Sequence, residues 1–278
     1  MPALMQFAEL EDLEIQLLLE GVHRYYGFDF RNYAIASIKR RIWNLMQTDQ
    51  LPSISRLQEK ILHDPAYMER FLWSLSVSVT GMFRDPNFYL AFKTQVIPLL
   101  RTYPSIRIWH AGCSTGEEVY SMAILLWEAG IYHRCRIYAT DINETALHQA
   151  QAGIIALEAI QDYALLYQQA GGTQQLSEYY SIKYGSAIVH PFLKKNVVFA
   201  VHNLATDASF NEFNVILCRN VLIYFNTELQ TRAHQLFHDS LGRFGILGLG
   251  QQESLKFSAY QHCYKPLESE ARIYRKTA

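Results

Sequence analysis

Through about Ser76 the apolar residues recur with a helical period and no alternating pattern interrupts them. Leu10, Leu13, Leu17 and Leu18 read as one helical face, and Tyr33, Ile35, Ile38, Ile42 and Leu45 as a second stripe. Asp64-Pro65 has the form of an N-cap followed by a first-turn proline, opening a helix through Met68, Phe71, Leu72 and Leu75. Asp85-Pro86 repeats that signal ahead of Phe88, Tyr89, Leu90 and Phe92.

From Arg107 the texture changes. Arg107 to Ala111 is a short strand that runs into Gly112 and then into a helical run from Glu117 to Leu126. A second unit pairs the strand Arg136 to Thr140, ending in Asp141, with a helix from about Glu144 to Gln151. Val197 to Val201 and Phe213 to Cys218 read as further strands, with closing strands at Gly245 to Gly250 and Ala271 to Arg275. Strands alternating with helices predict a mainly parallel sheet. Between Gly171 and Asn196 the alternation breaks: Tyr179 to Tyr184 and Ala187 to His190 flank Gly185-Ser186 and read as a hairpin insert.

Composition narrows the picture. The chain has 278 residues, half of them hydrophobic, which is enough for a large core plus a small helical domain. Lys and Arg number 25 against 26 Asp and Glu, so no global field recruits nucleic acid or an anionic membrane. Cys113, Cys135, Cys218 and Cys263 are far apart and lack C-x-x-C spacing, which fits a reduced, cytoplasmic protein. The start of the chain carries Glu9, Glu11, Asp12 and Glu14 among apolar residues, unlike a signal peptide, and no apolar run reaches the length of a membrane span. The Cys and His residues show no mixed spacing of a zinc site, so no metal is expected.

In open parallel sheets ligands bind beyond the carboxyl ends of the strands, so the residues following each strand are the place to look for chemistry. After the first strand stands Ala111-Gly112-Cys113-Ser114-Thr115-Gly116-Glu117-Glu118. Its glycines permit a close approach of ligand to backbone, but the spacing is not G-x-G-x-x-G. Glu117 and Glu118 at a helix N-terminus would repel a pyrophosphate, which argues against a nicotinamide dinucleotide. A donor with a cationic end and no phosphate, such as S-adenosylmethionine, suits the loop better. Asp141 follows roughly 25 residues on, where such folds place an acid for the ribose hydroxyls. Taken singly, these features read equally well as dipole-matched carboxylates and a helix cap. Their convergence with strand ends at Asn203-Leu204 and Arg219-Asn220 favours a ligand site.

Four motifs then occur in order: Thr80-Gly81-Met82-Phe83-Arg84-Asp85-Pro86, Trp109 to Glu118, Ala139-Thr140-Asp141-Ile142, and Cys218-Arg219-Asn220-Val221-Leu222-Ile223-Tyr224-Phe225. With Gly250-Gln251-Gln252-Glu253-Ser254, similar to a family G-H-S-E, they resemble the CheR-type chemotaxis receptor methyltransferases over nearly the whole chain. The resemblance implies an α/β fold, a Rossmann-like class I S-adenosylmethionine-dependent methyltransferase sheet. An N-terminal all-α docking domain over residues 1–76 would precede a catalytic domain over 77–278, with a small antiparallel β insert near 171–196.

It also implies methyl transfer to glutamates on the cytoplasmic helices of a chemoreceptor, leaving S-adenosylhomocysteine. By similarity Thr80 and Arg84 lie near the methionine end of the donor, with Ser78 and, in the cofactor loop, Gly112 also among the cofactor contacts. Glu118 contacts its polar groups, Asp141 holds the ribose and Asn203 with Leu204 flanks the adenine. Arg219 and Asn220 are further cofactor contacts, and Arg84 with Tyr224 stands beside the transferred methyl. Arg31, Lys39, Arg40 and Arg41, read as one cluster in the second helix, would face the receptor. Ser78 replaces a usual asparagine, Gly81-Met82 a bulkier pair, Val119 a proline and Gln251-Gln252 a His-Ser, which bears on substrate preference more than on the cofactor. A monomer is expected. The competing readings are a non-catalytic adaptor that binds the donor or its product, and a methyltransferase for a nitrogen or small-molecule acceptor.

Overall fold

The computed structural model describes residues 2–75, 80–183, 185–256 and 258–277, and the chain divides into two compact units. The first comprises Met1–Val77 with Tyr224–Gln230. Its helices are α1 (Pro2–Tyr26), α2 (Ile35–Thr48), α3 (Ile54–His63) and α4 (Pro65–Leu75). Met68, Phe71, Leu72 and Leu75 are buried as the Asp64-Pro65 signal predicts, and the Asp64 carboxylate accepts from the Ala66 amide at 3.0 Å. The face expected of α1 is corrected. Ile15, Leu18, Leu19 and Val22 are buried, whereas Leu10, Leu13 and Leu17 are each about half exposed. At about 100° per residue Leu18 is about a quarter-turn or more away from those three leucines and shares the Ile15 side of the helix. Tyr33 precedes α2 instead of joining its stripe, and its ring packs edge-on against Phe30 and Phe225.

The second unit, Ser78–Ile223 with Thr231–Ala278, is built on a seven-stranded sheet. Its strands are β1 (Ile106–Ala111), β2 (Cys135–Asp141), β6 (Val197–Val201), β7 (Phe213–Cys218), β8 (Leu241–Leu249), β9 (Tyr264–Glu268) and β10 (Ile273–Lys276). A separate three-stranded antiparallel sheet holds β3 (Ile154–Ile155), β4 (Tyr180–Lys183) and β5 (Ser186–Val189). The large sheet runs β6-β2-β1-β7-β8-β10-β9, parallel as far as β8 and antiparallel beyond it. Strand order therefore reverses between β1 and β7, the point at which open sheets of this kind bind ligands.

Helices supply the rest of this unit. They are α5 (Pro86–Ala91), continuing through a π-helical stretch Phe92–Val96 into α6 (Ile97–Leu100), then α7 (Glu117–Glu128), α8 (Glu144–Ala152), α9 (Ile160–Gln169), α10 (Pro191–Lys194) and α11 (Thr227–Ser240), whose first residues group with the helical unit. Residues Val119 to Leu126 of α7 are all buried, as a helix without a polar face must be. Trp109 of β1 is fully buried among Phe210, Phe213 and Phe237, and its indole N–H donates to the Thr140 hydroxyl at 2.8 Å.

Three elements depart from the sequence reading. The small sheet begins at β3, ahead of the 171–196 insert, because a two-residue strand carries no periodicity. β8 starts four residues early, at Leu241, and is interrupted by an irregularity against β7, with Phe244 at φ 63°. β9 contains Pro266 and lies at the sheet edge, where a missing N–H costs no ladder bond. Among the described residues no helix is long and apolar enough to cross a membrane.

Candidate active site

The tip of β1 is tied to that of β2. Gly112 and Cys113 both donate their amides to the Thr140 carbonyl, at 2.8 and 2.9 Å. Gly112 sits at φ 83°, and a Cβ there would lie 2.5 Å from Cγ2 of Val221, so the loop needs glycine to pass under the β7 loop. Gly116 sits at φ 94°, where a Cβ would meet that of Ala150 in α8 at 2.9 Å. Asp141 closes the arrangement: its Oδ2 accepts from the Ser114 amide at 2.8 Å and its Oδ1 from the Asn143 amide at 3.0 Å. Burial pushes the Asp141 carboxyl up, and the amides of Asn143, Ser114 and Ile142 oppose that rise. An ionised carboxylate offers about four acceptor positions, so after these amides Asp141 retains acceptor capacity for a hydroxyl.

A charged network lies beside this loop. Arg219, its side chain 1% exposed, donates to Glu118 at 2.9 Å, to Asp85 at 2.8 Å and to the Arg84 carbonyl at 3.3 Å. Its guanidinium also covers the Phe88 ring, 4.0 Å from the centroid. The second Glu118 oxygen meets Nδ1 of His110 at 3.0 Å. Burial acts to raise the Glu118 carboxyl, but contacts with His110 and Arg219 prevail and hold it below its ordinary value. Two expectations change here. Asp85 does not cap α5 with its side chain; it stands at φ 58° and gives its carboxylate to Arg219. The charge of Glu118 is already compensated within the protein, so the case for a cationic ligand rests on Asp141 and on Glu117, whose carboxyl burial pushes up.

Thr80 and Arg84 share a cleft of about 420 Å³ with Gly81, Asp85, Pro86, Asn87, Leu166 and Gln251. Asp85 thus belongs both to the cleft wall and to the Arg219 network. Leu166 comes from α9, which the sequence reading passed over although Ile160, Tyr163, Ala164 and Tyr167 have helical spacing. Beyond β6, the Asn203 carbonyl and amide both meet Asp207, at 2.8 and 2.9 Å, and its side chain accepts from the Ala205 amide at 2.9 Å. This turn buries Leu204. Asn220 follows Arg219 at φ 61°. The expectation for Ser78 lies outside the described residues.

Tyr224 belongs to the helical unit, where the Arg41 guanidinium lies 5.0 Å from its ring centroid. Arg41 also donates to the Ser74 and Leu75 carbonyls, at 3.0 and 2.7 Å, compensating the end of α4. The basic cluster expected in the second helix is corrected accordingly. Arg31 precedes α2 and pairs with Asp29 and Glu20; Lys39 pairs with Asp12, Arg41 is turned inward, and Arg40 is exposed.

Comparison with known proteins agrees with this layout. The family model described as CheR methyltransferase, SAM binding domain, matches residues 78–272, and that described as CheR methyltransferase, all-alpha domain, matches residues 13–76. The chain is 51% identical to the "Putative methyltransferase Cher3" of Pseudomonas putida over 96% of its own length and 97% of that protein's. It is 30% identical to the "Chemotaxis protein methyltransferase" of Listeria innocua, covering 84% of this chain and 87% of the relative. An uncharacterized 104.1 kDa protein of Rhodobacter capsulatus is 30% identical over 98% of this chain, which spans 29% of that longer protein.

Proposed function

The chain belongs to the CheR methyltransferase family and carries its S-adenosylmethionine-binding domain, and from that premise we propose that it methylates glutamate side chains on the cytoplasmic helices of a chemoreceptor. The observation that carries the reading is the junction of β1 and β2, where a glycine loop crosses to the next strand and Asp141 ends it with acceptor capacity to spare. Relatives bearing the name chemotaxis protein methyltransferase support the acceptor class.

The bound donor supplies an electrophilic methyl group on a sulfonium. A glutamate carboxylate, with an ordinary pKa near ~4.3, is ionised at neutral pH, so the chain need not supply a strong base. One carboxylate oxygen gains the methyl as the carbon–sulfur bond breaks, and no proton moves. The chain's task is therefore to orient and to dehydrate. Arg84 lines the cleft next to Thr80, and its planar fork suits one carboxylate oxygen of the acceptor. Docking charge rests on Arg40 more than on the whole basic set, since Arg31 and Lys39 are locally compensated.

The test is incubation of the full chain with methyl-labelled donor and receptor-rich membranes, followed by alkali. Release of labelled methanol is the expected result. A base-stable product would point to a nitrogen acceptor, and tight donor binding without any transfer would favour the adaptor reading.

A further inference from the structure

The loop that carries Arg219 and Asn220 is held by a carboxylate from the neighbouring strand end. Glu253, 4% exposed, stands just beyond β8 and accepts four backbone amides. Its Oε1 takes Val221 at 2.8 Å and Leu222 at 2.7 Å, and its Oε2 takes Asn220 at 3.1 Å and Gly250 at 2.6 Å. Three consecutive amides turned to one point, with Asn220 at φ 61°, form a backbone nest of the kind that binds anions; here the anion is internal. The Glu253 amide in turn donates to the Gly250 carbonyl at 3.0 Å, closing the turn that presents its side chain. Gly250 has no room for more, since a Cβ would lie 2.8 Å from both the Asn220 amide nitrogen and Glu253 Oε2. The same turn supplies Gln251 to the cleft wall.

Two pieces of the site therefore hang on one side chain that does not itself line the cleft. We propose that Glu253 is a positioning residue for the donor cleft, holding the 219–222 loop in the shape that aligns Arg219 with Glu118 and Asp85 and sets Asn220 at the strand tip. The proposal rests on the reading of the strand-end site given above. Glu253 acts on donor binding and not on the transfer step, because no atom of it reaches the reacting groups except through backbone amides.

In Glu253→Gln the shape is kept, but one acceptor oxygen becomes an NH2 group facing amides that need an acceptor. On the full chain, the dissociation constant for S-adenosylhomocysteine and the donor KM are expected to rise roughly tenfold or more, with kcat at saturating donor within about twofold of wild type. A lower melting temperature with KM and affinity unchanged, or a fall in kcat alone, would overturn the proposal. Gly250→Ala keeps the carboxylate but wedges the two loops apart, so it should show the same split between KM and kcat; should Glu253→Gln fail to fold, an unchanged donor KM in Gly250→Ala overturns the idea. If wild type neither binds S-adenosylhomocysteine nor transfers methyl, the site reading falls together with this one. If wild type does both and the two variants match it, only the role of Glu253 falls.

Discussion

Replacing Arg219 by methionine removes the guanidinium that joins Asp85 to Glu118 while keeping a side chain of similar length over Phe88. Breaking a buried ion pair from one side costs roughly 3–5 kcal/mol, mostly because the remaining charge stays buried without its partner. The side chains of Asp85 and Glu118 are 22% and 19% exposed, and Glu118 keeps His110, so the loss should fall near the lower end. At ~2–4 °C per kcal/mol for a domain of this size, roughly 3 kcal/mol corresponds to a melting temperature lower by roughly 6–12 °C. The deficit should depend on pH. In the wild type the Glu118 carboxyl lies below its ordinary value, so its contribution is present above the unfolded pKa and is lost as pH falls through the folded one. Without Arg219 the burial that raises this carboxyl meets less opposition, so the variant gains more from protonation, and its deficit should shrink as pH falls from about 7.5 through the ordinary glutamate range near ~4.3. Thermal unfolding of both proteins at about pH 7.5 and about pH 4 decides the matter. A shift within about 2 °C at pH 7.5, or a deficit of equal size at about pH 4, would contradict this role of Arg219.

Three further outcomes follow from the same structure. Gly112→Ala combines a left-handed backbone with a Cβ 2.5 Å from Val221, and calorimetric titration with S-adenosylhomocysteine should show roughly tenfold weaker binding or worse; wild-type affinity would contradict the tight crossing. Arg84→Ala should lower kcat at saturating donor roughly tenfold or more while changing affinity for S-adenosylhomocysteine far less, and full turnover by this variant would rule out the carboxylate clamp. His234 is 5% exposed and burial lowers its pKa to about 4, so it favours the folded state above the unfolded value of about 6.5 and loses that contribution as pH falls toward 4. Urea titrations of His234→Leu between about pH 7 and pH 4.5 should show a shallower acid decline than wild type, on the order of 3 kcal/mol at most; parallel declines would remove His234 from the account.

The strand-end loops were legible because their signals are local. A strand, a glycine loop and a helix start lie within Ile106 to Glu128, and an acid ends the next strand at Asp141. The first helix was harder, since α1 has two apolar stripes and spacing alone does not say which one meets α3. Asp85 looked like a cap because aspartate before proline commonly is one; only Arg219, distant in sequence, redirects it. The same partner alters Glu118, which reads as a bare acid at a helix start and proves to be half of an ion pair. Glu253 illustrates the general limit. Its four amides come from its own turn and from a loop about thirty residues earlier, and backbone donors leave no mark in a sequence. Leu166 was within reach, because the helical spacing of α9 is present in the residues themselves.

In the function proposed, the tips of β1 and β2 cradle the donor and turn its methyl toward the cleft lined by Thr80 and Arg84. A crystal structure of the full chain with S-adenosylhomocysteine tests this placement most directly. The expected result is a ribose hydroxyl on the Asp141 carboxylate and the sulfur facing Arg84. A ligand bound elsewhere, with Asp141 touching only its own backbone amides, would contradict it.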